Sequence, residues 1–284
     1  MNLKKTILIS GIKGFLASHL FILLKDDFIV YGIGRKTEIW NDIQVFSSTD
    51  LEAISIQPDF LILCHAAVSS GQISLDKEQL FEVNVSFTEQ LIKKFSSSRI
   101  VYISTCSVYD LKTDLIHEES PINPQSQYAT SKYLAEQIVL ETSNATIIRL
   151  SSLYGIGMKE NTIIPNYIQQ AISNQVITVW GKGEREQNYI YVEDACQYII
   201  LALQNFDSVK NKVLLGVSKE EYSNIDLAKI ISEYTSATIE FVNEDNASSF
   251  HYNNNKTCEL LEWQPQTNFK EIIFNYIQWK KEQF

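Results

Sequence analysis

Five short, almost uninterrupted apolar runs in the first half of the chain restrict its fold more than any other feature. A strand that is apolar along its length must be covered on both faces, as strands are in a parallel sheet. Amphipathic helical patterns separate the runs, from Phe15 to Leu24 and from Leu80 to Phe95. This alternation predicts an α/β fold with a doubly wound parallel sheet and right-handed crossovers. The apolar runs are Ile7–Ile9, Phe28–Tyr31, Phe60–Cys64, Ile100–Ile103 and Thr146–Leu150.

A glycine turn follows the first strand and opens the first helix. Gly11 would permit a tight turn, Gly14 would let a phosphate approach the backbone, and Ala17 would let the helix pack closely on the sheet. The free N–H groups and positive dipole end of a helix N-terminus suit a pyrophosphate. The strand–turn–helix context predicts a dinucleotide-binding site of the Rossmann type. The residues predicted to contact the cofactor here are Gly11, Lys13, Gly14, Phe15 and Leu16.

The end of the second strand indicates which nicotinamide cofactor binds. An acidic residue at this place would hold the ribose 2′-hydroxyl and repel a 2′-phosphate. The chain has Gly34 there, followed by the cations Arg35 and Lys36. We therefore predict NADP(H). NAD(H) is the alternative, in which the two cations are ordinary loop residues.

The strand–helix alternation loosens after about residue 150. We predict a nucleotide-binding domain over residues 1–155, to which 189–217 returns. A smaller C-terminal substrate-binding lobe would consist of 156–188 and 218–284. The elements predicted after residue 150 are a helix over Ile163–Ile172, a strand over Tyr189–Val192, and helices over Glu193–Leu203 and Phe269–Lys281.

Composition excludes several other classes of protein. The formal net charge of −10 over 284 residues argues against a nucleic-acid partner. No apolar run has the length of a membrane span, and no signal peptide is recognisable, so we expect no membrane partner and a cytoplasmic protein. The cysteines form no C-x-x-C pair and the histidines show no ligand spacing, so we predict neither a metal site nor a disulfide.

Tyr128 and Lys132 are the candidate catalytic pair. Residues four apart share one face of a helix, so a phenol and an ammonium would stand side by side. A free tyrosine has a pKa of about 10, and a neighbouring cation would lower that pKa toward neutrality. The hydroxyl of Thr105 could hold the substrate oxygen at the same point. Together these groups predict proton transfer during a carbonyl–alcohol interconversion.

In these motifs the chain resembles the extended short-chain dehydrogenase/reductases, in the nucleotide-sugar epimerase, dehydratase and reductase branch. The glycine turn resembles the family's G-x-x-G-x-x-G/A, and Tyr128 and Lys132 match its catalytic pair, with Thr105 at the catalytic Ser/Thr position. Arg149–Gly155 and Tyr191–Asp194 resemble later family segments. The resemblance implies further cofactor contacts from Asp50, Leu51, His65, Ala66, Ala67 and Asn84, besides Tyr128 and Lys132.

The chain departs from the family pattern at two places. Members that bind a sugar-nucleotide diphosphate often carry Arg-Asp where this chain has Gln187-Asn188, and the nearby Arg185 is the candidate substitute. Dehydratases often carry Asp-Glu directly after the catalytic Thr, whereas this chain has Cys106-Ser107, which disfavours dehydration. The expected substrate contacts are Ser107, Arg185, Gln187 and Asn188.

The resemblance implies an NADP(H)-dependent oxidoreductase acting on a nucleotide-activated sugar, and we expect a 4-keto sugar reductase. A nucleotide-sugar 4-epimerase with tightly bound NAD is the alternative, because the same Thr-Tyr-Lys triad serves both reactions. A non-catalytic NADP-binding regulatory protein is the second alternative. Many relatives are dimers, so we expect a homodimer. The identity of the sugar depends on loops around 70–80, 155–162 and 180–188.

Overall fold

The computed structural model of the chain describes residues 4–68, 75–110 and 112–283. In chain order its strands are β1 (Thr6–Ser10), β2 (Ile29–Gly34), β3 (Glu38–Trp40), β4 (Ile43–Ser47), β5 (Phe60–Leu63), β6 (Arg99–Thr105), β7 (Ala145–Leu150), β8 (Ser152–Tyr154), β9 (Val176–Trp180), β10 (Glu186–Tyr191), β11 (Val213–Gly216), β12 (Glu221–Ser223) and β13 (Thr238–Val242). Its α-helices are α1 (Phe15–Leu24), α2 (Lys77–Phe81), α3 (Phe87–Lys94), α4 (Gln127–Glu141), α5 (Ile163–Asn174), α6 (Val192–Gln204), α7 (Phe206–Val209), α8 (Asn224–Thr235), α9 (Asn255–Leu261) and α10 (Phe269–Lys281).

An eight-stranded sheet forms the centre of the described structure, in the order β3-β4-β2-β1-β5-β6-β7-β11. Its strands pair in parallel except at the β3–β4 edge. From β1 the chain first builds outward through β2 and then returns to add β5 on the other side. The loops after β1 and β5 therefore meet at the switch point where such sheets bind ligands. The predicted α/β doubly wound fold is confirmed.

Both faces of this sheet are covered, as the continuous apolar runs predicted. In β1, Ile7 and Ile9 belong to the cluster that contains residues of α1 and α6, whereas Leu8 belongs to the cluster that contains residues of α3 and α4. All three side chains are fully buried. The side-chain alternation of the strand thus sends its residues into two separate cores.

A third core lies beyond the central sheet. It contains residues of α5, α8 and α10, together with side chains from β9 and β10. Strand β10 pairs with β8 and β12 in a three-stranded sheet, and β9 pairs with β13. Between β10 and β12 the chain returns to the central sheet, since α6 contributes to the core beside α1 and β11 pairs with β7.

The predicted helical segment from Leu80 to Phe95 is interrupted. A π-helical turn, Glu82–Ser86, separates α2 from α3. Asn84 lies in this turn with only 1% of its surface exposed. Its side-chain amide bonds the backbone of Ala67 on the neighbouring loop, at 2.7 and 3.0 Å. π turns occur often at functional sites, and this one directs Asn84 toward the loop after β5.

A buried ion pair attaches α4 to the sheet. Arg149 on β7 donates two hydrogen bonds to Glu136 on α4, at 3.0 and 2.6 Å. The guanidinium also lies 4.7 Å from the ring centroid of Tyr109. Glu136 is fully buried, and one helical turn before it on α4 stands Lys132, which is 2% exposed. The single carboxylate therefore faces two buried cations.

Removing either partner of this pair should destabilise the fold to a different extent. Glu136→Gln leaves two buried cations without their anion, and we expect it to lower the free energy of unfolding by about 3–5 kcal/mol. Arg149→Met should cost less, because Glu136 can still interact with Lys132. Urea unfolding of both variants and of the double variant measures the free energy of unfolding that each one loses. An Arg149→Met cost equal to or above that of Glu136→Gln would contradict the account.

Candidate active site

The turn after β1 is shaped to receive an anion. Gly11 has φ +68°, and a Cβ placed there would lie 2.9 Å from the Cα of His65, so only glycine fits. Helix α1 starts at Phe15 without a side-chain cap and without an acidic residue in its first turn. Its first N–H groups thus remain available to a phosphate. The predicted turn residues fit the pyrophosphate of a dinucleotide.

The loop after β5 closes against this turn. His65 is 8% exposed, and its Nδ1 lies 2.6 Å from the Ser10 hydroxyl at the end of β1. Burial and the charge of Lys132 lower the pKa of His65 to about 3, against a weaker opposing effect from the Val83 backbone. The imidazole is therefore neutral at physiological pH. Ala66 is exposed beside it, at the crevice outside the carboxyl ends of β1 and β5 where such sheets bind ligands.

Thr105 ends β6 and is half-buried. Its Oγ1 accepts from the Ser107 N–H at 3.2 Å and donates to the Ser107 hydroxyl at 3.1 Å. Cys106 is buried, with Sγ 3.6 Å from the carbonyl of Arg149. Thr105 and Ser107 therefore offer hydroxyl groups to the crevice, and neither residue after Thr105 supplies a carboxylate.

Lys132 is a buried cation on α4. Its Nζ lies 4.1 Å from the ring centroid of Tyr102, an aromatic face that attracts a cation. Burial lowers the pKa of Lys132 to about 7, while Glu136 and Cys64 act in the opposite direction. The Lys132 side chain therefore changes between its ammonium and amine forms near neutral pH.

Tyr128 stands in the first turn of α4, half-buried. Burial raises its pKa to about 12. The expectation that Lys132 lowers this pKa is wrong for the ligand-free protein, because desolvation of the phenolate raises it instead. Tyr128 is therefore a neutral phenol, in the protonation state of a proton donor.

The loops beyond β2 carry the residues predicted to choose the cofactor. Arg35 and Lys36 are exposed directly after Gly34. Lys13 of the glycine turn pairs with Glu38 on β3, with Nζ and Oε1 2.5 Å apart. Sequence reasoning missed Glu38, because only the β3–β4 hairpin brings it back over the glycine turn.

Asp50 and Leu51 occupy the next loop along the sheet. Asp50 is exposed, and its carboxylate accepts from the Ala53 N–H at 3.3 Å, which starts a short 3₁₀ turn. Leu51 packs against the core that contains α3 and α4. The position of both residues at this edge of the sheet is consistent with the predicted contact to the adenine end of a cofactor.

Three of the four predicted substrate residues lie in or directly before β10, whereas Ser107 follows β6. Arg185 is half-buried and its Nε lies 3.4 Å from the Ser248 carbonyl. The Gln187 amide donates to Asn224 at 3.0 Å. Asn188 is 3% exposed, and its side chain bonds Ser151, at 2.7 Å, and the backbone of Ser218. Asn188 thus ties the loops after β7 and β11 together.

Two further expectations concern a metal and the sugar loops. Among the described residues, His117, Glu118 and Glu119 offer ligand atoms within 4.8 Å of one another. Protein groups already engage them, since Glu118 accepts from the Thr257 N–H at 3.0 Å and Glu119 pairs with Lys256. We therefore assign no metal here. Of the loop expected around 70–80, residues 69–74 lie outside the described residues.

The model of the NAD dependent epimerase/dehydratase family matches residues 7–216. The chain belongs to this family. Within the extended short-chain dehydrogenase/reductases it falls in the nucleotide-sugar branch, as the sequence motifs predicted. The family assignment makes the protein an enzyme of this kind, with a nicotinamide dinucleotide as cofactor.

Known members of the family span almost the whole chain. The human dTDP-D-glucose 4,6-dehydratase is 26% identical, covering 99% of this chain and 91% of its own. The UDP-glucuronic acid decarboxylase 1 of Xenopus tropicalis is 25% identical over 94% of this chain and 70% of its own. The Bacillus cereus UDP-glucuronic acid 4-epimerase, solved with UDP-glucuronic acid and NAD, superposes with a TM-score of 0.84 at 20% identity, covering 98% and 100%.

Among the described residues, no helix combines the length and the apolar character that a bilayer crossing requires.

Replacing Lys132 should stabilise the ligand-free protein. Its pKa in the folded state, about 7, lies below the value of a free lysine, about 10.4. Between these values the unfolded chain binds the extra proton, so wild-type stability rises with pH in this window. Lys132→Met removes the desolvation penalty, and we expect its gain in melting temperature to be larger at pH 6 than at pH 9.

Thermal unfolding of the ligand-free variants at the two pH values measures this gain. Lys93→Met is the matched control, because the Lys93 side chain is 73% exposed on α3. If Lys132→Met raises the melting temperature equally at pH 6 and pH 9, burial of the Lys132 ammonium is not what destabilises the wild-type protein.

Proposed function

We propose that the protein is an NADP(H)-dependent reductase of a 4-keto sugar attached to a nucleoside diphosphate. The observation that supports this most is the neutral phenol of Tyr128 one helical turn before the buried Lys132, on a helix that packs against the end of β6 where Thr105 lies. In this proposal all three residues border the crevice opened by the glycine turn, and the charge of Lys132 already acts on His65, which closes against that turn. A protonated phenol suits a reaction that ends with a new hydroxyl group.

Each group has a separate task in this proposal. The bound nicotinamide supplies the hydride, and the protein orients the reactants. Tyr128 donates its proton to the sugar oxygen as negative charge develops there. Lys132 binds the nicotinamide ribose hydroxyls, and its charge stabilises the phenolate that remains. The Thr105 hydroxyl holds the sugar oxygen in place.

Dehydration fits the site poorly. Elimination of water needs an acid and a base beside the sugar, and the two residues after Thr105 are the buried Cys106 and the hydroxyl of Ser107. Burial raises the pKa of the Cys106 thiol well above its ordinary value. We therefore place the protein among the reductases and epimerases of the family.

An epimerase with bound NAD is the second candidate. The solved relative named above is a 4-epimerase bound to NAD. In this chain, Glu38 lies at the adenosine edge and pairs with Lys13, and a carboxylate there would repel a 2′-phosphate. Against this stand the exposed Arg35 and Lys36, on which the preference for NADP(H) rests.

Substrate binding is proposed for the face formed by β10 and the end of β6. Arg185 is the candidate cation for the diphosphate, because its guanidinium is held only by a long hydrogen bond of 3.4 Å to the Ser248 carbonyl within the part of the chain that the structure describes. Gln187 and Ser107 would add polar contacts. Asn188 would support the site through Ser151 and Ser218, since its amide is already engaged.

We also propose a homodimer through α3 and α4. Leu134 on α4 is 38% exposed and Val83, between α2 and α3, is 36% exposed. Ile138 is half-buried one turn after Leu134. Covering such apolar side chains favours association.

Tyr128→Phe should lower turnover by about 100- to 10,000-fold, the range for a general acid. Cofactor affinity should stay near the wild-type value, because the ring is retained. Tyr133→Phe, a change to a half-buried tyrosine on the same helix, is the matched control. The measurement uses a panel of nucleoside diphosphate sugars and their 4-keto derivatives.

The same panel separates the candidate reactions. A reductase consumes one NADPH per sugar, which the absorbance of the reduced nicotinamide follows. Conversion of a sugar without net consumption indicates the epimerase. Near-wild-type turnover in Tyr128→Phe would rule out the assigned proton donor, and bound cofactor with no turnover on any sugar would point to the regulatory alternative.

Cofactor preference is tested by titrating NADPH and NADH separately. We expect the wild type to bind NADPH more tightly. Arg35→Ala should weaken NADPH by about tenfold, the value of one charged hydrogen bond, with little effect on NADH. Glu38→Gln should strengthen NADPH, since it frees Lys13 and removes a nearby negative charge. Lys25→Ala, at the far end of α1, is the control, and tighter NADH binding by the wild type would refute the preference.

A further inference from the structure

A chain of buried hydrogen bonds starts at the glycine turn. The Ser10 hydroxyl lies 2.6 Å from Nδ1 of His65, and Nε2 of His65 lies 3.0 Å from Oγ1 of Thr88. Thr88 then bonds the backbone carbonyl of Asn84 at 2.9 Å. Ser10 and Thr88 are fully buried. The hydrogen-bond chain thus crosses from the end of β1, through the loop after β5, to the start of α3.

The chain continues to the helix that carries the proposed proton donor. The side-chain amide of Asn84 donates to the hydroxyl of Ser131 at 2.9 Å, and that hydroxyl donates to the backbone carbonyl of Tyr128 at 2.8 Å. Ser131 is fully buried. The last hydrogen bond therefore ends in the first turn of α4, at the backbone of the residue that carries the proposed proton donor.

The donors and acceptors fix the direction of every bond. A carbonyl can only accept, so Thr88 uses its one proton toward Asn84 and must accept from His65. Nε2 of His65 therefore carries the ring proton. The neutral ring leaves Nδ1 as an acceptor, and Ser10 donates to it at 2.6 Å rather than to the Ile62 carbonyl, which lies 3.4 Å away. A single tautomer of His65 satisfies the whole chain.

We propose that His65 and Thr88 are positioning residues that join the Gly11 turn to the first turn of α4, and so fix Tyr128 relative to the bound cofactor. The backbone of His65 contacts the turn directly, since a Cβ on Gly11 would lie 2.9 Å from the His65 Cα. The proposal rests on the function assigned to Tyr128 above, whereas the hydrogen-bond chain does not depend on it.

Burial gives this connection its stiffness. Hydrogen bonds that are shielded from water are strong electrostatically, and breaking one leaves a polar group without a partner. The π turn also contributes, because it directs the Asn84 side chain to Ala67 and Ser131 at once. Misplacement of a reacting group by about 1 Å can cost about 100-fold in rate. Breaking one bond of the hydrogen-bond chain should therefore lower turnover measurably.

A double-mutant cycle between Thr88 and Tyr128 tests the proposal. Thr88→Val keeps the shape of the side chain and removes its hydroxyl, and we expect kcat to fall by about 10- to 100-fold with little change in KM. Thr88→Ser should restore kcat. In the Tyr128→Phe background, Thr88→Val should have no further effect, because it acts through the phenol.

Thr235→Val is the matched control. Its hydroxyl also bonds the carbonyl four residues earlier, Ile231, at 2.8 Å, but on α8 in the second lobe. It should leave kcat unchanged. If Thr88→Val does not fold, Ser131→Ala breaks the last bond and enters the same cycle. An unchanged kcat, or an equal loss of activity in the wild-type and Tyr128→Phe backgrounds, would overturn the proposal.

Nitrogen NMR of the histidine rings gives a second readout that needs no substrate. We expect His65 to carry its proton on Nε2, and Ser10→Ala to disturb that tautomer. A proton on Nδ1, or exchange between the nitrogens in the wild type, overturns the proposal whether or not any sugar is turned over. A proton on Nε2 in a protein without turnover counts against the proposed function alone.

Discussion

The burial of the Lys132 ammonium is the constraint around which the rest of this structure is arranged. Removing a charge from water is costly, and the lowered pKa of about 7 expresses that cost. The surroundings offset part of it, since the Tyr102 ring lies under Nζ and Glu136 stands one helical turn away. Glu136 is held in turn by Arg149. A fold selected for stability alone would have no reason to retain this lysine, so its presence argues for chemistry in the crevice.

The same crevice depends on close backbone contact at the switch point of the sheet. Gly11 and His65 approach so closely that no side chain fits between them, which brings the loops after β1 and β5 into one wall. Asn84 extends this wall to Ser131 on α4. The phosphate-binding turn and the proton-donating helix are therefore parts of one hydrogen-bonded body, although about 115 residues of chain separate them. Catalytic precision in such a site comes from rigid supports as much as from the reacting groups.

The sequence predicts those parts whose cause is local. Continuous apolar runs mark the central strands because burial on both faces leaves no polar positions, and α10 occupies the predicted range Phe269–Lys281. Strands such as β9 and β13 were missed, because each has half-buried or exposed positions and the two pair across some sixty residues. The protonation state of Tyr128 was also mispredicted. Its spacing from Lys132 is visible in the sequence, but the burial that raises its pKa is a tertiary property.

The departure from the family pattern at Gln187-Asn188 leaves the fold intact, and under the proposed function it changes the contacts to the diphosphate. Asn188 is buried and joins Ser151 to the Ser218 loop, so this position keeps the second lobe attached to the end of the central sheet. Gln187, beside it, carries no charge that could meet a diphosphate, and Arg185 lies two residues away on the same segment with a weakly held guanidinium. Because Arg185 lies directly before β10 and two residues before Gln187, it is the nearest cation along the chain that could replace a cation at 187. Under the proposed function, the positive charge thus stands before β10, about 6–7 Å along the chain from position 187, and that displacement would shift how far the sugar reaches toward Tyr128.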